Sequence, residues 1–298
     1  MNAAYTELTP DEFAERAQTL RVMSEKCRIC PRGCGARRHE GEHGLCHAAD
    51  GVVVASAGPH FGEESVLVGT MGSGTIFFTG CNLDCSFCQN FDISHLGSGE
   101  RISVADLAAL MLRLQERGCH NINLVTPTHY TAEIVTALAE ACVRGLELPL
   151  VWNSGGYESI ETLRLLNGIV DIYMPDLKYG SNEAGQRYSG IEDYWDVARE
   201  AIREMHRQVG DLRVGPRGIA RRGLLLRHLV LPGDAARSRN VIDFLADEIS
   251  PDTYVNVMEQ YYPAFRAERI PELSRRLRPE EHAAAVAHAR SRGLRLAD

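Results

Sequence analysis

No apolar run in this chain approaches the ~18–20 residues that a membrane span needs. The opening stretch, MNAAYTELTPDEFAERAQTL, is acidic and has no apolar core segment, so it does not read as a secretory signal. Positive charge is in deficit: 32 Lys and Arg stand against 40 Asp and Glu, for a net charge of −8. That balance argues against a predominantly phosphate-contacting surface, and so against a nucleic-acid partner, while leaving room for a local basic patch. With no membrane segment and no export signal, the nine cysteines place the protein in a reducing cytoplasm. Seven of them fall in two tight groups, which read as metal ligands rather than disulfides.

The second group is the more telling. Cys81, Cys85 and Cys88 lie in FFTGCNLDCSFCQN with spacing C-x3-C-x2-C and no fourth Cys or His close behind. Cysteine thiolates bind iron–sulfur clusters, and three of them hold three irons of a cubane. The fourth iron stays open, and an open coordination position separates a reactive metal site from a closed structural one. In the first group, Cys27, Cys30, Cys34 and Cys46 make C-x2-C-x3-C-x11-C, enough to close a tetrahedral site. His39, His43 and His47 lie nearby as substitutes. The cargo is a structural zinc or an auxiliary iron–sulfur cluster, and the reading here leans to zinc or another structural metal. Cys119 and Cys142, next to or within helical segments, are assigned to the core.

With 298 residues, 44% of them hydrophobic, the chain can bury a proper core. Thr9 and Pro10 open a helix over 10–26, and GVVVASAG (51–58) reads as a short strand. From residue 75 a βα rhythm begins. Strands are expected at 75–80, 121–126, 148–153, 169–178, 223–233 and 252–261, each followed by a helical segment. Their near-continuous apolar runs fit strands buried on both faces of a parallel sheet. Six units are too few for a closed eight-stranded barrel. An α/β fold is expected: an open, partial (β/α)6 barrel over 71–298, or a doubly wound sheet, behind a small Cys-rich metal-binding extension over 1–70. Either places chemistry at the C-terminal strand ends, and the Cys81 loop leaves such an end.

At FFTGCNLDCSFCQN the chain resembles the radical S-adenosylmethionine (SAM) superfamily, down to Phe87 before the third cysteine. More narrowly it resembles pyruvate-formate-lyase-activating-enzyme-like Fe–S proteins, through CRICPRGC, SAGPHFGEES, INLVTPTH, MPDLKY, RHLVLPG and SPDTYVN. The resemblance spans roughly residues 27–262. It implies a [4Fe–4S] cluster on Cys81, Cys85 and Cys88. It also implies SAM on the fourth iron, a 5′-deoxyadenosyl radical, and hydrogen abstraction from a substrate. A low-potential donor, a flavodoxin or ferredoxin, is implied as partner, and a protein substrate would follow from the activase branch.

By the same resemblance Asp176 and Lys178, two apart at the end of the fourth strand, help bind SAM, as does Asn153 in WNSGG. The ordinary alternatives are a salt bridge for the pair and a cap for Asn153. Where many members carry Gly-Gly-Glu, this chain has Thr126-Pro127-Thr128-His129. The Thr126 and Thr128 hydroxyls, or carbonyls before Pro127, are the candidates to take over, with His129 capping the next helix. Arg227 and His228 alternate in the fifth strand, so one faces the core and the other does not. Radical SAM modification of a peptide, RNA or small molecule is the alternative to an activase. A zinc or Fe–S binding protein, or a plain electron carrier, is the alternative from a different class.

Overall fold

The computed structural model describes residues 3–297. Helix α1 (Pro10–Glu25) starts at Thr9, which exchanges hydrogen bonds with Glu12 in a capping box. Strand β1 (Val52–His60), the short helix α2 (Ser65–Val68) and strand β2 (Ser73–Phe78) follow. The Cys81 loop leads into α3 (Phe91–Ser94), β3 (Glu100–Ile102) and α4 (Val104–Glu116). Next come β4 (Ile122–Val125), α5 (Thr131–Val143), β5 (Leu150–Ser154), α6 (Ile160–Leu165) and β6 (Ile172–Pro175). After α7 (Asn182–Ser189) and α8 (Tyr194–Val209) the chain forms β7 (Arg213–Val214), β8 (Ala220–Leu229), α9 (Ser238–Phe244) and β9 (Tyr254–Met258). It ends with α10 (Pro279–Ser291) and β10 (Arg295–Leu296).

The sheet runs β10-β9-β8-β6-β5-β4-β2-β1-β3, with β7 paired to β8. From β2 to β9, six strands are parallel and spatially consecutive, as the βα rhythm predicts. β1 lies antiparallel on the outer side of β2, and β10 lies parallel on β9, so this is a partial barrel rather than a closed one. The expected boundary at residue 70 falls in the β1–β2 connection. Both sides of it share this sheet and one continuous core reaching from Ala3 to Leu294.

Side-chain alternation divides the barrel. Trp152, Tyr173, Leu224, Leu226 and Val255 pack outward, under the helices. Val151, Ile172, Met174, Leu225 and Tyr254 point the other way, into a smaller cluster with Val66 and Leu67 of α2. His60 pairs with Ser73 at the start of β2, so the connection between them departs from the N-terminal ends of the strands. It enters the barrel there and plugs it with Val66 and Leu67, both buried.

Several elements escaped the sequence pattern. α7 (NEAGQRYS) is eight mostly polar residues, too short to show periodicity. β7 and β10 are two residues each and owe their pairing to neighbouring strands. The helical segment after β8 is α9 followed by a π-turn at Leu245–Ile249.

Candidate active site

The C-terminal ends of all six parallel strands and the Cys81 loop enclose a cavity of about 510 Å³. Cys81, Cys85 and Cys88 all stand on its wall. The loop that carries them is fixed at several points. Ser86 N–H donates to Tyr188 O (2.8 Å), and Asn82 Nδ2 donates to Tyr157 O (2.7 Å). The sulfurs are themselves engaged: Leu83 N–H points at Cys81 Sγ (3.4 Å), Ser189 Oγ at Cys85 Sγ (3.0 Å), and Ser94 Oγ lies 3.2 Å from Cys88 Sγ. Donors aimed at sulfur stabilise thiolate, but burial pushes the Cys81 thiol well up and the Cys85 thiol up. A bound metal would reverse that, because a coordinating thiol gives up its proton.

Among the described residues, no three His, Cys, Asp or Glu side chains converge closely enough to hold a single ion. Three thiols on one cavity wall are the ligand set that leaves one iron of a cubane open.

Register brings the other expected residues to the same wall. Phe77, Val125 and Asn153 lie level on β2, β4 and β5, and Asp176, Arg227 and Asn256 lie level on or beside β6, β8 and β9. Lys178 Nζ donates to Asp176 Oδ2 at 2.7 Å, so the salt bridge exists, and it faces the cavity. Burial opposes charge on Lys178, but the Asp176 carboxylate together with Cys85 and Tyr194 outweighs it and raises the Lys178 pKa. Tyr194, which the sequence did not single out, pins both strand ends. Its hydroxyl accepts from Lys178 N–H (2.8 Å) and lies 3.0 Å from the carbonyls of Gly155 and Asp176.

The Thr126–His129 segment divides. Thr126 lines the cavity with φ +57°, a rare conformation for a β-branched residue, and its N–H donates to Asn153 O (2.8 Å). Thr128 does not reach the cavity wall. Its hydroxyl turns into the core and donates to buried Glu158 Oε1 at 2.6 Å. Nor does His129 cap α5. It is buried, with Nε2 2.8 Å from Thr79 O, and burial drives its pKa down to about 3. Of the β8 pair, Arg227 faces the cavity and His228 is buried behind the strand, against Leu177 O (2.7 Å) and Ser238 Oγ (2.9 Å). The functional pair that sequence reasoning missed is Glu63 and Glu64, which also line the cavity. The resembling segment SAGPHFGEES was their only signal.

The four-cysteine loop sits beside this site. Cys27, Cys30 and Cys46 are buried and Cys34 is partly exposed. The Cys34 and Cys46 sulfurs converge over Gly44, where an added Cβ would lie 3.5 and 3.2 Å from them. The Arg38 guanidinium is buried too, donating to His129 O and Ala49 O with Glu133 at 3.5 Å. Burial pushes the Cys46 thiol up, and the Arg38 charge works against that shift. Four thiols in one loop are the donor set of a closed tetrathiolate metal site.

Among the described residues, no helix is long and apolar enough to cross a membrane. A family model for the radical SAM superfamily matches residues 75–222. An uncharacterized protein of Methanocaldococcus jannaschii is 33% identical over 282 residues, which cover 91% of this chain and 76% of that one. Among solved structures, Streptococcus suis SuiB bound to S-adenosylmethionine is similar at 10% identity and TM-score 0.47, over 73% of this chain and 47% of that one. A radical SAM methyltransferase from Sphaerobacter thermophilus is similar at 16% identity and TM-score 0.46, over 74% and 64%. The chain spans about half the length of the first of these structures and under two thirds of the second. From the cysteine trio at the strand ends, the family match and the long alignment together, the chain belongs to the radical SAM superfamily of enzymes.

Proposed function

We propose that Cys81, Cys85 and Cys88 hold a [4Fe–4S] cluster whose open iron takes SAM within the cavity. When bound, the pair supplies reductive cleavage of the sulfonium and a 5′-deoxyadenosyl radical for hydrogen abstraction. The observation that carries this is the placement of all three cysteines on the wall of one cavity, with Asn153, Asp176, Lys178 and Thr126 on the same wall. The Lys178–Asp176 pair offers both a cation and an acceptor to the polar ends of SAM. Tyr194 holds that pair in place through its backbone contacts. Ser189 directs its hydroxyl at Cys85 Sγ, and Ser94 Oγ lies in hydrogen-bond contact with Cys88 Sγ, so both bear on the charge of the sulfurs.

The Cys27, Cys30, Cys34 and Cys46 loop is assigned a second metal centre. Its four thiols suit either a structural zinc or an auxiliary iron–sulfur cluster, and the buried Arg38 charge favours a thiolate at Cys46 for either. A low-potential flavodoxin or ferredoxin would deliver the electron. The activase-like reading, hydrogen abstraction from a glycine of a partner protein, rests on the CRICPRGC and MPDLKY resemblance alone.

The test is anaerobic reconstitution followed by dithionite reduction with SAM. The protein should yield 5′-deoxyadenosine, and Cys85→Ala should yield none. Survival of cleavage in that variant sinks the proposal. Iron analysis of the same sample decides the second centre: about eight irons per chain supports an auxiliary cluster, and about four with zinc rejects it.

A further inference from the structure

The tip of the β1–β2 connection forms the floor of the cavity with Glu63 and Glu64, above the Val66–Leu67 plug. Glu64 is fully engaged. It accepts from Arg227 Nε (2.7 Å) and Nη2 (2.6 Å) and from Asn256 Nδ2 (2.8 Å). These bonds, with the guanidinium beside it, hold the buried Glu64 carboxyl below the usual range although burial alone would raise it. This pair anchors the plug to β8 and β9.

Glu63 is different. Its side chain is only 6% exposed, and it shares Arg227 Nη2 through Oε2 alone. Among the described residues its Oε1 accepts no hydrogen bond, and the His60 Nδ1 atom stands 3.5 Å away. That ring nitrogen is itself buried without a hydrogen-bond partner. Around the cavity, three carboxylates (Glu63, Glu64, Asp176) face two cations (Arg227, Lys178). Lys178 belongs to Asp176, and one guanidinium serves both glutamates. A desolvated carboxylate lacking its own counter-ion is costly unless a ligand supplies one.

We propose that Glu63, with His60 beside it, is a subsite on the cavity floor for a cationic group of the substrate, an alkylammonium or a guanidinium. An incoming cation completes the hydrogen bonds of Glu63 Oε1 and balances the second carboxylate. An anionic group there would meet two glutamates around a guanidinium already shared. The inference rests on the radical SAM reading of the same cavity, and SAM is itself a cation, so the test separates the two sources.

SAM binding to the reconstituted protein is measured by calorimetry for the wild type and for Glu63→Gln, a variant that keeps volume and an acceptor for Arg227. The SAM-loaded proteins are then titrated with n-propylguanidinium and with its neutral isostere n-propylurea. The wild type should prefer the guanidinium by at least about tenfold, as a desolvated charge pair warrants. Glu63→Gln should abolish that preference and Glu63→Asp should keep part of it. The SAM affinity of Glu63→Gln should stay within about threefold of the wild type. A preference that is absent in the wild type, or that survives Glu63→Gln, overturns the subsite. A larger loss of SAM affinity in Glu63→Gln also overturns it, because the carboxylate then serves the cofactor. If the wild type binds no SAM, the cofactor reading fails, and the same titrations without SAM still decide the floor.

Discussion

The backbone carbonyl of Cys46 accepts a hydrogen bond from the amide of Cys81 at 3.1 Å. The last cysteine of the first group and the first cysteine of the second thus meet through one peptide contact. Two groups separated by a strand, a plug and a second strand in sequence are neighbours in space.

Gly80 guards that contact. It has φ +87°, and a Cβ there would lie 2.4 Å from the Cys46 carbonyl oxygen and 3.3 Å from His129 Nε2. Gly80→Ala should cost about 1–3 kcal/mol in urea unfolding, the range for enforced backbone strain. The contact spans both loops, so iron content should fall at both cysteine groups. Unchanged stability and full iron loading would show that the junction is soft.

Glu158 gives the stability a pH dependence. It is fully buried, Oε2 has no partner, and burial pushes its carboxyl up to about 7. Folding therefore favours the protonated form. The contribution is fully present below the unfolded value near 4.5 and is lost as pH rises to about 7. Glu158→Gln keeps the acceptor for Thr128 and removes the titration. It should match the parent near pH 4.5 and exceed it by up to about 3 kcal/mol near pH 8. Parallel stability–pH curves for the two proteins would contradict this.

The plug should be a stability element. Leu67 is fully buried among Val151, Ile172, Met174 and Leu225. Leu67→Ala should lower the unfolding free energy by about 2–5 kcal/mol, the cost of an unfilled core site. It should also loosen the cavity floor above it, read as faster hydrogen exchange at Glu63 and Glu64. A loss below about 1 kcal/mol would mean that the barrel bottom closes without the plug.

Much of this was legible in the chain because it follows from local chemistry. The βα rhythm gave the six parallel strands, Thr9 marked the start of α1, and the trio at Cys81, Cys85 and Cys88 fell at a strand end. What stayed hidden depends on tertiary placement. Glu63-Glu64 in a Gly-containing loop has the signature of a solvated turn, yet the loop folds inward. Thr128 and Thr126 carry the same hydroxyl two residues apart, and only the left-handed turn at Thr126 decides which one reaches the cavity. His129 looked like a cap because it precedes a helix. Its ring is instead claimed by Thr79 O, on the neighbouring strand's exit.

The floor of the cavity has a consequence for synthesis. Glu64 finds Arg227 after 163 residues and Asn256 after 192. Contacts of such sequence separation close late and slowly. While the chain is still emerging from the ribosome, its cysteines are already made but the chamber behind them has no base. The chamber is completed only once translation has passed β9.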